Sequence, residues 1–204
     1  MAPLPLVHAD DRLVVVHKPS GLLSVPGRGP DKQDCASARV QQQFADALIV
    51  HRLDQATSGL LLLARGAVAQ RELSQAFATR RVAKRYLAVV AGCVAQDELE
   101  IDLPLLADWP KRPRQMVDAQ RGKPSQTRLR VLARAADHTR VELVPLTGRT
   151  HQLRVHLMAI GHAILGDALY ASPADAARAA RLLLHASELL LEDSGQRFYC
   201  APDF

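Results

Sequence analysis

Apolar and polar positions along the chain change period several times, and each change marks an element. Residues 4–8 and the β-branched run 13–16, separated by Asp10-Asp11, predict a short hairpin. Lys18-Pro19-Ser20-Gly21 and then Pro26-Gly27 break regularity and enclose a loop. Residues 37–44 predict a short helix. Residues 47–50 and 60–64 are apolar runs on either side of 51–59, so a strand–loop–strand unit carries a dense polar cluster on its loop. Leu73 and Phe77, four apart within 67–80, predict an amphipathic helix. From Arg85 to Val90 the period falls to two, with Tyr86, Ala88 and Val90 on one face.

Residues 101–116 are Pro-rich, predict irregular chain and hold the only tryptophan, Trp109. Thr127, Leu129 and Val131 alternate with Arg128, Arg130 and Leu132, a half-buried strand with a mostly basic outer face; 141–146 is its predicted partner. A helix is predicted over 150–160, closed by Gly161. On it Leu153, Leu157 and Ile160 form the core stripe, and Arg154 shares a different face with His151 and Met158. Ser172-Pro173 with Asp175 signals a helix start, and 189–191 with 197–200 a closing hairpin through Ser194-Gly195. Helices and strands intermix without β-α-β alternation. The expected class is therefore α+β: a mixed, mainly antiparallel central sheet flanked by helices and loops. With 204 residues, the chain reads as a single domain over 1–204.

Composition narrows the functional classes. Hydrophobic content of 48% with 23% charged residues suits a folded globular chain and excludes a disordered one. The longest apolar run, 60–64, is far below the roughly 20 residues of a membrane helix, and 1–7 lacks the features of a signal peptide. Cys35, Cys93 and Cys200 are odd in number and scattered, which fits a reducing cytoplasm and gives no disulfide framework. Net charge is +5, unevenly spread: 65–154 holds 17 Lys/Arg against 9 Asp/Glu, and the rest 9 against 12. That asymmetry suggests a cationic face for a polyanion, set against an ordinary solvated basic surface.

Two clusters could carry chemistry. His51-Arg52-Leu53-Asp54-Gln55-Ala56-Thr57-Ser58-Gly59 packs a base, a cation, an acid and two hydroxyls onto one loop between buried strands. Asp54 reads equally as a carboxylate capping backbone N–H groups. The second cluster is Gly148-Arg149-Thr150-His151-Gln152-Leu153-Arg154-Val155-His156. His151 and His156 are five apart with no acid between them, so a zinc helix is not indicated and no metal is expected. No Walker loop, dinucleotide fingerprint or nucleophile elbow occurs, and no cofactor is expected.

Taken together and in order, the motifs resemble the RluA family of pseudouridine synthases from end to end. They are Lys18-Pro19-Ser20-Gly21, the 51–59 loop, Lys84-Arg85-Tyr86, the 148–156 run, Gly166-Asp167-Ala168-Leu169-Tyr170 and Leu184-His185-Ala186. His17 stands where asparagine is common in the family, and Ala171 where glycine often follows the tyrosine. Residues 24–28 and 103–116 with 122–124 are similar to the dual-specificity members that modify both 23S ribosomal RNA and transfer RNA anticodon stem-loops. No S4-type RNA-binding domain is expected within these residues.

The resemblance implies an isomerase that breaks the N1–C1′ bond of a uridine and rejoins the base through C5, without cofactor. Asp54 would be its catalytic carboxylate, Arg154 the cation paired with it, and Tyr86 the ring against the displaced uracil. Arg52 would fill the gap left by the flipped base. His51 and Thr57 are expected substrate contacts, and Lys111, Arg112, Arg114, Arg128 and Arg130 expected phosphate contacts. The expected partner is a structured RNA, an rRNA or tRNA stem-loop, met by a monomer away from any membrane. A catalytically inactive RNA-binding module of the same fold is the alternative. A hydrolase using Asp54 and His51 is disfavoured by the missing oxyanion-hole motifs.

Overall fold

The computed structural model describes residues 2–204. In chain order the elements are β1 (Leu6–Ala9), β2 (Leu13–Lys18), α1 (Ala36–Gln41), β3 (Ala47–Ile49), β4 (Ser58–Arg65), α2 (Gly66–Ala78), β5 (Val82–Ala91) and β6 (Glu98–Asp102). They continue with β7 (Leu105–Ala107), β8 (Gln115–Val117), β9 (Gln126–Arg134), β10 (His138–Pro145), α3 (Gln152–Ala159), α4 (Pro173–Ala177), β11 (Leu184–Leu191) and β12 (Arg197–Tyr199). The chain forms two compact units, one running up to Lys84 and including Ala186–Asp203, the other made of Arg85–His185 with Phe204. The class is α+β.

In the first unit the strand order is β1-β2-β4-β11, with β3 on β4 and β12 on β11. The registers of β1 on β2, β2 on β4, β3 on β4 and β12 on β11 are antiparallel. Leu60 to Ala64 of β4 are all fully buried, which is why this segment reads as an unbroken apolar run rather than an alternating one. Leu73 and Ala76 of α2 pack with Leu60, Leu62, Leu189 and Phe198 into one core. Two consequences position the polar loop. Because Ala47 pairs with Arg65 and Ile49 with Leu63, residues 50–57 simply join two antiparallel strands. Because Leu13 pairs with Ala64, the last residue of β2, Lys18, falls opposite Gly59 at the foot of that loop.

In the second unit the order is β5-β10-β9-β6, again antiparallel, with β7 and β8 as a separate two-stranded ribbon. Residues 101–116 are thus more regular than expected. Leu105 pairs with Val117 and Ala107 with Gln115, so apolar residues at the ribbon's ends overcome a Pro-rich centre. Leu105, Val117, Val155, Met158 and Tyr170 pack together, fixing the ribbon within its unit. The predicted N-cap at Ser172 is present, its hydroxyl accepting from the Asp175 N–H at 3.1 Å. The helix predicted over 150–160 starts only at Gln152, because His151 is in the left-handed region at φ 54°. Nor does it present one core stripe: Gln152 through Leu157 are all buried. All three cysteines are free, and only Cys35 is buried, since Cys93 is exposed.

Gly59 illustrates how tightly the loop's far end is packed. Its φ is 116°, and a Cβ there would collide with the Ala186 carbonyl oxygen and amide nitrogen. Gly59→Ala combines backbone strain with a clash against immovable main chain. It is expected to lower the unfolding free energy by at least about 1–3 kcal/mol, measured by urea denaturation. A wild-type midpoint in that variant would contradict the packing described.

Candidate active site

The 51–57 loop is held by side chains of the first unit that reach its carbonyls. Ser24 Oγ donates to Leu53 O at 2.7 Å and accepts from Leu53 N–H at 3.0 Å. Ser20 Oγ donates to Ala56 O at 2.6 Å, Gly21 N–H to Gln55 O at 2.8 Å, and Gln55 Nε2 to Gly21 O at 3.0 Å. The motif Lys18-Pro19-Ser20-Gly21 is thus the other wall of the loop, not an independent feature.

Lys18 is a residue to which its motif assigns no role. It is fully buried, yet its ammonium donates to Pro19 O at 3.0 Å, Leu22 O at 2.8 Å and Gln55 O at 3.2 Å. Three donors meet three acceptors, which satisfies the group completely. Burial pushes the Lys18 pKa down to about 8, against the pull of the Asp54 carboxylate, which favours the charged form. A buried ammonium is therefore electrostatically coupled to Asp54 from inside the protein. Asp54 itself is half-buried, and its carbonyl accepts from Thr57 N–H at 3.1 Å, closing a tight turn after the acid.

The other loop residues divide into outward and inward groups. Arg52 is exposed. His51 braces the loop from within. Its Nε2 accepts from Leu62 N–H at 2.9 Å, and its ring stacks on Phe77 at 4.4 Å between centroids. Burial, with the nearby positive charge of Lys84, holds its pKa down at about 3, so it is neutral at physiological pH. Thr57, beyond the turn, is 2% exposed. Alternation on an extended chain accounts for the residues before the turn: Arg52 faces out, whereas His51 and Leu53 turn toward the core.

The second unit carries the other candidates. Tyr86 is half-buried on β5, opposite Leu143 of β10. Arg154, 4% exposed, makes a two-pronged ion pair with fully buried Asp167: Nε to Oδ2 at 2.8 Å and Nη2 to Oδ1 at 2.7 Å. Asp167 Oδ1 also accepts from the N–H groups of Leu169 and Tyr170 at 2.9 and 3.2 Å. Arg154 is therefore fixed in direction by a charge-assisted fork. The acid was visible within Gly166-Asp167-Ala168-Leu169-Tyr170, but nothing in the sequence connected it to the helix.

The 148–156 run is locked by its polar residues. Buried Gln152 makes four hydrogen bonds: Oε1 accepts from Thr147 Oγ1 at 2.7 Å and Arg149 N–H at 3.1 Å, and Nε2 donates to Gln126 O at 2.9 Å and Thr127 Oγ1 at 3.0 Å. His156 spans Thr127 Oγ1 and Leu103 O, both at 3.0 Å, and burial lowers its pKa. His151 Nδ1 lies 2.7 Å from Tyr170 Oη, which accepts from the Gln115 N–H at 2.8 Å. These histidines are hydrogen-bonded struts.

The basic residues separate as well. Arg112 is exposed, with its guanidinium over Trp109, and Arg114 lies over Tyr170. Arg128 and Arg130 do project outward from β9, but register sets acids beside them. Arg128 pairs with Glu100 at 3.3 Å and Arg130 with Glu142 at 3.0 Å, where Arg85 joins at 3.2 Å. The outer face is a ladder of mixed sign rather than a basic stripe, which weakens both as phosphate contacts. No helix among the described residues is long and apolar enough to cross a membrane.

Two expectations follow. Lys18→Met takes the ammonium away from the carbonyls of Pro19 and Leu22, whereas Gln55 O keeps the Gly21 N–H, and should lower stability by about 1–3 kcal/mol per orphaned group at most, read by urea denaturation. An unchanged midpoint would show that the ammonium is dispensable to the loop. The second concerns pH. A histidine held below its unfolded value leaves the unfolded chain binding the extra proton, so the His51 contribution is complete near pH 6.5 and lost as pH falls toward 3. His51→Gln should make the acid loss of stability shallower, with His156 and the depressed carboxylates such as Asp10 supplying the remaining slope. An identical pH profile would remove His51 from the account.

Residues 12–159 match the RNA pseudouridylate synthase family. The dual-specificity RNA pseudouridine synthase RluA of Yersinia pestis is 49% identical over 204 residues, covering 98% of this chain and 99% of its own. That of Escherichia coli strain K12 is 51% identical over 189 residues, 92% and 86% of the two chains. Among solved structures, human RNA pseudouridylate synthase domain containing 1 superposes with a TM-score of 0.82 at 30% identity, over 100% of this chain and 86% of that one. With the Asp54 loop, the Arg154 helix and this coverage in agreement, the chain belongs to the RNA pseudouridylate synthase family and is an RNA-modifying isomerase.

Proposed function

We propose that this chain converts a uridine in a stem-loop of 23S rRNA, of tRNA or of both to pseudouridine, with Asp54 as the reacting carboxylate. The observation that carries this reading is the half-buried Asp54 on a braced loop, coupled to the fully buried Lys18 ammonium. The reaction cleaves N1–C1′, turns the uracil and forms C5–C1′, after which C5 gives up its proton and N1 takes one up, both exchanged with solvent. Atoms balance without cofactor or metal. Attack at C1′ and assisted elimination from the sugar both begin with an ionised carboxylate beside the sugar–base junction.

Lys18 is a positioning residue in this scheme. It is too buried to meet RNA, but its charge favours negative charge on Asp54 and its hydrogen bonds set the loop's path. In the second unit, Tyr86 takes the flat face of the displaced uracil near C5, and Arg154, aimed by Asp167, serves as a catalytic cation. Arg52, exposed two residues before Asp54, fills the space vacated by the flipped nucleotide; its planar guanidinium suits stacking between bases. The dual specificity in the names of the bacterial relatives supports more than one RNA substrate. We assign the enzyme to the cytoplasm as a monomeric, single catalytic domain over 1–204.

Chemical mapping of pseudouridines in total RNA tests the reading. Cells lacking the gene should lose a small set of pseudouridines in rRNA or tRNA stem-loops. Wild-type protein should restore them, and Asp54→Asn should restore none. Restoration by Asp54→Asn, or a map unchanged by loss of the gene, would overturn it.

A further inference from the structure

The ribbon β7–β8 carries chemistry that catalysis does not use. At its tip Trp109 is 66% exposed, in a chain where Leu, Ile and Val side chains are mostly buried. It is not loose. The Arg112 guanidinium lies 3.1 Å from the ring centroid, covering one face of the indole. With one face covered and two-thirds of the residue still accessible, the opposite face is open to solvent. Main-chain bonds fold the tip compactly: Asp108 N–H to Arg114 O, Lys111 N–H to Asp108 O and Arg114 N–H to Lys111 O, each 3.0 Å. The base of the tip is pinned by the Gln115 N–H bond to Tyr170 and by Arg114 over the same ring.

We infer that Trp109, backed by Arg112, is a stacking platform for one unpaired base of the RNA substrate, separate from the nucleotide that reacts. Three observations select this occupant. The tip is cationic, with Lys111, Arg112 and Arg114 against Asp108 alone, which draws a polyanion. The open surface is a flat π face rather than an apolar groove, and bases splayed from RNA loops are held on such faces. The platform is already ordered by its guanidinium and its ribbon, so stacking costs little further freedom. A protein partner would call for a wider apolar surround, whereas Trp109 is flanked by charge.

The inference rests on the RNA substrate proposed above, and the fold provides a specific test. Trp109 is the only tryptophan, so protein emission reports on this site alone. Asp54→Asn protein, which binds without turning over, is titrated with a stem-loop RNA while a mobility shift follows binding independently. Emission should fall in step with the binding curve. Trp109→Ala, in an otherwise wild-type chain, should raise Kd and KM roughly tenfold, with kcat and the salt dependence of Kd little changed. Trp109→Phe should recover most of the loss. Removing the stacked base from the RNA should cost wild-type protein a similar factor and Trp109→Ala nothing more. Unchanged emission across the binding curve, or wild-type Kd in Trp109→Ala, would overturn the platform. Absence of pseudouridine formation by the wild-type chain would instead overturn the function it rests on, so the two failures are distinguishable.

Discussion

A single buried ammonium organises the loop that carries Asp54. Left unsatisfied, a charge with no solvent exposure costs several kcal/mol, so Lys18 obliges the chain to bring carbonyls to it. Pro19, Leu22 and Gln55 supply them, two from its own loop and one from the loop of Asp54. The Ser20, Gly21 and Ser24 bonds then follow along the same seam. Two loops are thereby fastened edge to edge by bonds that span 29 to 37 residues, and the residue that fastens them is electrostatically coupled to Asp54. The group that holds the loop is also the one whose charged form the Asp54 carboxylate favours.

In the second unit a polar lattice performs the matching task. A helix that begins with a left-handed histidine and is buried all round cannot be held by an apolar stripe alone. Gln152, with all four bonds made inside the protein, sets its first turn, and Asp167 sets the direction of Arg154. Tyr170 extends the lattice outward. Its amide binds Asp167, its hydroxyl meets His151 and Gln115, and its ring lies under Arg114. The ribbon that carries the basic tip is thus joined by direct contacts to the turn that aims the buried arginine, so the ribbon cannot shift without disturbing it.

Much of the scaffold is legible in the amino-acid sequence. The opening and closing hairpins, the strand–loop–strand about Asp54, the helix bearing Leu73 and the Ser172 cap all follow from local period and turn chemistry. What escaped was set by partners distant in sequence. A lysine is ordinarily exposed, and only the register of β2 on β4 shows Lys18 enclosed at the loop's foot. Arg128 and Arg130 resemble a basic face until β6 and β10 bring Glu100 and Glu142 alongside. His51 resembles a functional base until Leu62 N–H and Phe77 occupy it. Asp54 itself was ambiguous in isolation, a cap or a catalyst, and ordered motifs along the whole chain separated the two.

The central claim is that Asp54 carries the isomerisation, and tritium release from a stem-loop RNA labelled at uridine C5 tests it most directly. Purified wild-type protein should release tritium without added cofactor or metal. Asp54→Asn should still bind the RNA and release none above background. Release by Asp54→Asn at a rate comparable to wild type would contradict the account.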